Sequence, residues 1–379
     1  MDLLLLLLAF PLVWPFVAKA IWRHEITLAE MGISLALVAG LVTVGFFAGR
    51  SAQTADVEVW NGQVTGKESR RVSCSHSYSC NCRQVCSGSG SSRSCSLVCS
   101  TCYEHPWDQS WYLKTTLGEI TVPRVDRRGL KEPERFTRAT VGDPVSQLRP
   151  YENLVKGAPD SLFNTLREQV ALAHFQEQVP PYPVSIYDLH YLDRVLTAGA
   201  VEVPDLHEWN RELAMRLRSL GPTKQANVVV VMTRSANPLF ASAIQAAWLG
   251  GKKNDVVVVL GVPEYPKLAW ARVFSWTDNE LFKVQLRDDL QALQLAERQA
   301  VLDVIERHVT ASFKRRSMED FEYLRNEIHP PGWVIALLAV LGVVGSLATS
   351  WFMAKNDIRT RAGEQLRRAA YRARHPFAV

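Results

Sequence analysis

Residues 3–22, 31–49 and 333–353 are almost free of charged side chains. A helix needs about 20 apolar residues to cross ~30 Å of hydrocarbon, so each stretch meets the requirement for a membrane span. Trp333 and Trp351 stand at the two ends of the last one, where interfacial aromatic belts occur, and the middle one stops before Arg50. The first holds Pro11, Pro15 and Lys19. Membrane helices accommodate proline where neighbours re-satisfy the backbone. A cleaved signal peptide ending near Ala18-Lys19-Ala20 is the alternative. Against it, Met1-Asp2 supplies no positive charge and a second apolar stretch follows at once, so a retained helix is expected.

Charge sets the expected orientation. Residues 355–379 carry seven Lys/Arg and two acids, a net +5 equal to that of the whole chain, so residues 1–354 sum to zero. Positive flanks stay cytoplasmic, which places this tail and the loop with Lys19 and Arg23 inside and residues 51–330 outside. A nucleic-acid role for the tail is not expected, because it has no aromatic ladder or recognised motif.

All seven cysteines, Cys74, Cys80, Cys82, Cys86, Cys95, Cys99 and Cys102, fall within 29 residues. In an oxidising compartment such clustering reads as disulfides, with one thiol left over because seven is odd. Spacing leaves the pairing open. Two other readings stand beside it. Zinc could take four thiolates with His76 or His105, although Cys99-Ser-Thr-Cys102 alone has knuckle spacing. The same pair could be a redox dithiol, although no strand-helix context of the thioredoxin kind surrounds it. Ser87-Gly88-Ser89-Gly90-Ser91-Ser92 reads as a flexible loop among the cysteines.

Residues 51–150 read as a β-rich domain. Val57–Trp60 alternates and Asn61-Gly62 predicts a hairpin turn. Trp111–Thr116 and Glu119–Val122 flank a second turn at Leu117-Gly118, and Phe136–Val141 is a third strand candidate. Pro144, Pro150 and Pro159 mark a link, within a linking segment spanning 151–203; Asp160–Gln178 reads as helix and Pro181-Tyr182-Pro183 as a break.

Residues 204–328 have clearer grammar. Asp205 and Glu208 predict a capping box for a helix striped by Leu206, Trp209, Leu213, Leu217 and Leu220 and stopped by Gly221-Pro222. Val228–Met232 and Val256–Leu260 are continuous apolar runs, the mark of strands covered on both faces. A helix from Asn237-Pro238 to Gly250-Gly251 joins them into a parallel βαβ unit. Leu268–Trp276 is a further strand, and Thr277 with Glu280 predicts a capping box opening a helical stretch to about Arg325.

This order, with Gly-Gly-Lys-Lys-Asn-Asp at 250–255 and Thr277-Asp278 after the last strand, resembles the TPM domain family over residues 204–328. The resemblance implies an α/β sandwich tethered by one membrane helix, here 333–353. It departs at Val256, where the family has glycine, and at Phe274-Ser275-Trp276. Some members are proposed phosphatases or bind divalent metal through loop acids, for which Asp255 and Asp278 are the nearest equivalents. A second resemblance, to uncharacterised membrane proteins of tailed bacteriophages, rests on Cys102-Tyr103-Glu104-His105-Pro106-Trp107-Asp108 and Arg124–Leu130, and implies a periplasmic location.

Catalytic motifs are thin: there is no Gly-x-Ser-x-Gly, His-Glu-x-x-His or phosphate-binding Gly-Lys-Ser/Thr. His207-Glu208 has Arg211 where a zinc motif needs histidine, and His105 reads either as part of a binding site or as a polar residue fixing a stapled loop. No catalytic residue and no resident cofactor are assigned; a divalent cation at Asp255 and Asp278 is the alternative. Gly32, Ala36 and Gly40, and Gly342, Ser346 and Ser350, recur every four residues, a spacing that lets spans approach closely.

The expected fold class is a multi-pass membrane protein with an α+β extracytoplasmic region, a β-rich Cys-stapled domain followed by a TPM-like α/β sandwich. The parts are a hairpin of spans (1–50), the Cys-rich domain (51–150), a link (151–203), the α/β domain (204–328), a last span (333–353) and a basic tail (354–379). The expected role is structural, presenting an outward surface to a second copy or a membrane-protein partner beside the lipid bilayer. A metal-dependent phosphatase is the alternative, and a thiol-disulfide module the third.

Overall fold

The computed structural model describes residues 2–22, 25–87, 94–158, 166–188 and 190–355. The serine-glycine loop beyond Ser87, the start of the helix expected from Asp160, and the basic tail beyond Lys355 lie outside these. The chain divides into two compact units, Met1–Asp56 with Tyr151–Leu162 and Met318–Val379, and Val57–Pro150 with Phe163–Ser317.

In the first unit three helices, Asp2–Ile21, Leu28–Thr54 and Gly332–Lys355, are long and apolar enough to cross a membrane. The second opens on a capping box: Thr27 Oγ1 accepts from the Glu30 N–H (3.3 Å) while the Glu30 carboxylate accepts from the Thr27 N–H (2.7 Å). Leu4, Leu7, Val42, Phe46 and Leu338 form the apolar seam of the three helices. Ser346 and Ser350 are buried, and Gly342 sits where a Cβ would lie 3.3 Å from Pro11 Cγ and 3.6 Å from Val42. The Ser34 and Thr349 hydroxyls bond across two helices at 2.7 Å.

The stripe Gly32, Ala36, Gly40 behaves otherwise. All three are exposed, and nothing lies within 4 Å of a Cβ built on Gly32 or Gly40. The second helix packs through Ser34, Val38, Val42 and Phe46. That row is offset by two residues, about 200° around the helix, which is the opposite face. Branched and aromatic side chains, seated against glycine and serine of the last helix, make the contact that small residues were expected to make.

Beyond the second helix, the Asn153 N–H donates to Thr54 O (2.7 Å) and its side-chain amide to Asp56 (2.7 Å). Arg325 bridges Glu322 (2.7 Å) and Glu152 (3.1 Å). A Cβ on Gly157 would meet Ile328 and Thr54 at 2.9 Å, so this collar closes only around glycine.

The second unit holds two four-stranded sheets and a hairpin. β1 (Ala55–Val72) is one unbroken strand. β2 (Ser77–Ser87) and β3 (Ser94–Tyr103) pair as a separate antiparallel ribbon. β4 (Asp108–Thr115) and β5 (Gly118–Val122) form the expected hairpin, with Gly118 at φ +117° in its turn. With β6 (Pro144–Glu152) they make a sheet in the order β5-β4-β1-β6.

Three expectations fail here. Asn61-Gly62 makes no turn: the Asn61 side chain is taken up in a buried hydrogen-bond network, and Thr116 and Leu117 occupy the space beside Gly62. Phe136–Val141 is no strand but lies across a short helix, Glu134–Arg138, which lays Phe136 against Trp111 (ring centroids 4.8 Å). The strand forms instead at 144–152, in the expected link, because β6 is an edge strand and edges tolerate prolines.

The remaining residues build an α/β layer. β7 (Val195–Ala198), β8 (Asn227–Thr233) and β9 (Asp255–Gly261) are parallel, and β10 (Trp270–Ser275) closes the edge antiparallel. Every residue of β8 and β9 is buried. Alternate residues point to opposite faces. Val228, Val230 and Met232 meet helices Leu206–Lys224, Glu280–Ala292 and Arg298–Ser312 on one side, while Val229 and Val231 meet helices Leu166–Phe175 and Leu239–Ala247 on the other.

Both capping boxes expected here are absent. Asp205 makes no cap bond; it accepts from the Tyr265 hydroxyl (3.2 Å) and pairs with Arg298. The second helix is capped by Asn279, while Thr277 donates to Lys314 O at 2.8 Å. Gly221-Pro222 does not stop its helix, which runs on to Lys224. Gly221 serves a close approach: a Cβ there would lie 2.0 Å from Asn61 O.

Candidate metal centre

The β2–β3 ribbon is an insertion between β1 and β4. Register sets Val72 opposite Asp108 in the sheet and Ser77 opposite Tyr103 in the ribbon, so four strand ends meet where the ribbon joins. Cys74 and His76 lie on one connection, and His105 on the other leads to Asp108 at the head of β4. The ligand atoms of these four residues all lie within 4.8 Å of one another, the one such grouping of His, Cys, Asp and Glu among the described residues.

Cys74 and Asp108 are buried, and the two imidazoles are partly exposed. Cys74 Sγ is 3.6 Å from His105 Nδ1, and the His76 N–H points to the same sulfur at 3.4 Å. Asp108 Oδ2 accepts from Ser75 N (3.0 Å) and Arg124 (2.7 Å), and Arg124 is itself held by Ser110 Oγ (2.9 Å). Asp108 Oδ1 has no hydrogen-bond partner and stands 3.3 Å from His105 Nδ1. Burial opposes ionisation of Asp108, but the Ser75 N–H, Arg124 and Cys74 outweigh it and hold its carboxyl well below the usual range. A neighbouring loop is fixed by Asp126, whose carboxylate collects the N–H groups of Lys131, Gly129, Leu130 and Arg128.

The other six cysteines form pairs at disulfide distance along the ribbon: Cys80–Cys102, Cys82–Cys99 and Cys86–Cys95. Cys74 is the odd one. Cys99 and Cys102 belong to different pairs, so the dithiol reading of that motif does not hold, and a zinc site of four thiolates is likewise ruled out by the pairing.

Asp255 and Asp278 do not make a common ligand set. Asp255 is fully buried; Asn227 Nδ2 donates to its Oδ1 (2.9 Å), while Tyr182 OH (2.8 Å) and the Lys252 N–H (2.7 Å) donate to its Oδ2. Asp278 pairs with Lys314 at 3.0 Å on the surface. Sequence reasoning named His76 and His105 as partners for cysteine but overlooked Asp108, although it stands in the quoted Tyr-Glu-His-Pro-Trp-Asp segment; His105-x-x-Asp108 beside the unpaired Cys74 was the available signal.

Burial pushes Asp255 up to about 6 from an ordinary 3.8, against the opposing pull of Asn227, the Lys252 N–H and Tyr182. The folded state therefore holds a proton that the unfolded state has lost, and stability falls as pH rises from about 4 to about 6, by about 3 kcal/mol. Asp255→Asn is expected to flatten that fall, measured as the denaturant midpoint against pH on detergent-purified protein. An unchanged slope would contradict the assignment.

No family model, no curated protein and no solved structure matches the chain.

Proposed function

We propose that the chain is a membrane-anchored structural protein whose residues 51–330 face the extracytoplasmic side and present a stapled arm for assembly with a second copy of itself. The observation that carries this reading is the β2–β3 ribbon. Its strands are largely solvent-exposed, three cysteine pairs ladder it, and Tyr78, Val85, Leu97 and Val98 are exposed on it. A ribbon that buries no core yet is cross-linked three times is built to hold a shape outside the domain. Its two free edges and apolar side chains suit pairing with another protein strand.

Three further points support the reading. Clustered disulfides belong to oxidising compartments, which agrees with the orientation set by the charged tail. The order of helices and strands over 204–328, with a membrane helix after it, is what a TPM-like sandwich would show. The engaged oxygens of Asp255 offer no open ligand for a phosphatase metal. A phage-encoded membrane complex in the bacterial inner membrane is the setting that the second resemblance implies.

A photo-crosslinker placed at Leu97 or Tyr78 in native membranes tests it. The expected product is an adduct at twice the chain mass. A chain that stays at monomer mass from both positions overturns the self-assembly reading.

A further inference from the structure

We propose that Cys74, His76, His105 and Asp108 form a structural Zn2+ site that clasps the cystine arm to the sheet. The inference is independent of what the arm binds.

The atoms fit the metal. Bonds of ~2.3 Å to sulfur and ~2.0–2.1 Å to nitrogen and oxygen, at tetrahedral angles, set ligand-to-ligand edges of about 3.5 Å for S···N and about 3.3 Å for N···O. Cys74 Sγ to His105 Nδ1 is 3.6 Å, and His105 Nδ1 to Asp108 Oδ1 is 3.3 Å. His76 lies wider, with Nδ1 3.9 Å from Asp108 Oδ2, and its partly exposed ring would have to turn inward to complete the set.

The surroundings fit as well. Asp108 is fully buried, its Oδ2 is saturated by Ser75 and Arg124, and its Oδ1 is the oxygen left without a hydrogen bond. Cys74 and His105 Nδ1 (3.3 Å) stand beside that buried oxygen without a well-formed hydrogen bond to it, and a cation between them would satisfy all three. Arg124 on the far oxygen is the outer support that ligating carboxylates have. The His76 N–H is directed at Cys74 Sγ (3.4 Å) as an outer hydrogen bond to the ligating sulfur, and metal binding releases the thiol proton. One sulfur, two imidazoles and one carboxylate suit zinc, whereas Mg2+ and Ca2+ take oxygen sets. Four protein ligands leave no open position, so the site is structural rather than catalytic. It also accounts for Cys74 staying unpaired among six bridged cysteines.

The ligands come from both connections between sheet and ribbon. The disulfides lie within the ribbon and cannot fix its base, whereas the metal can.

The test uses the full chain in detergent, purified without a histidine tag. One zinc per chain is expected by elemental analysis, with the three disulfides intact by mass spectrometry. After chelation, Co2+ alone should give tetrahedral d–d bands and a thiolate charge-transfer band, and chelation should speed protease cleavage at 73–76 and 104–107. Cys74→Ser should abolish the charge-transfer band. Arg124→Gln, which keeps all four ligands, should weaken Co2+ binding about 10–100-fold. A wild-type chain with intact bridges that takes up neither metal overturns the proposal, as does a Co2+ spectrum unchanged by Cys74→Ser.

Discussion

Arg194→Ala is expected to destabilise the second unit by about 3–5 kcal/mol, the cost of the cavity and of the lost buried charge-assisted hydrogen bonds. Arg194 is almost completely buried. Its Nε donates to Asn227 Oδ1 (2.8 Å), one terminal nitrogen to Leu192 O (2.9 Å), and the other to Asn61 Oδ1 and Ser146 Oγ. Asn227 passes the connection to Asp255. The side chain thus ties β1, β6 and β8 together. Desolvation pulls its pKa down to about 10, against the pull of Tyr182 and Asp255. Alanine removes the donors that Asn61, Ser146, Asn227 and Leu192 share; Asn61 Oδ1 keeps Ser146 Oγ (3.2 Å) and Asn227 Oδ1 keeps Asn61 Nδ2 (3.2 Å), while Leu192 O loses its side-chain donor inside the core. Arg211, exposed and paired with Glu208 on one helix surface, is the control, and its replacement should change nothing measurable. Denaturant midpoints of the two variants decide the matter; equal midpoints would remove the network from the account.

Reduction of the disulfides is the second large effect. The bridges close separations of 22, 17 and 9 residues, and a bridge over ~15 residues is worth about 3 kcal/mol of chain entropy. The ribbon has no apolar core to offset that loss. Reduced protein should be cut rapidly between Ser77 and Tyr103 while β1, β4 and the α/β layer stay resistant. Peptide mapping after brief proteolysis checks it, and a reduced ribbon as resistant as the oxidised one would show that the cross-links are not what holds it.

What the sequence made legible follows from locality. The three spans, the buried valine strands and the β4–β5 hairpin are specified by runs of residues a few positions long. Asn61-Gly62 was misread because its turn propensity is a local preference, overridden by Arg194, 133 residues away in sequence. Asp205 and Thr277 were misread as caps because each finds a distant partner, Arg298 and Lys314. β7 escaped notice as a four-residue strand that forms only by pairing with β8. Gly342, Ser346 and Ser350 lie on a buried helix face and Gly32, Ala36 and Gly40 on an exposed one, although both stripes share one spacing, because which face is buried depends on the neighbours. The metal cluster was half visible: two histidines stood near the cysteines, but only the register between β1 and β4 brings Asp108 to Cys74.

The arrangement as a whole rests on the arm and its sheet lying outside the reducing interior. Intact cells treated with a membrane-impermeant maleimide, before and after an impermeant reductant, test this directly. The account predicts that six thiols become taggable from outside only once the reductant has been added. Tagging of those cysteines without reductant, and only after the membrane has been permeabilised, would contradict it.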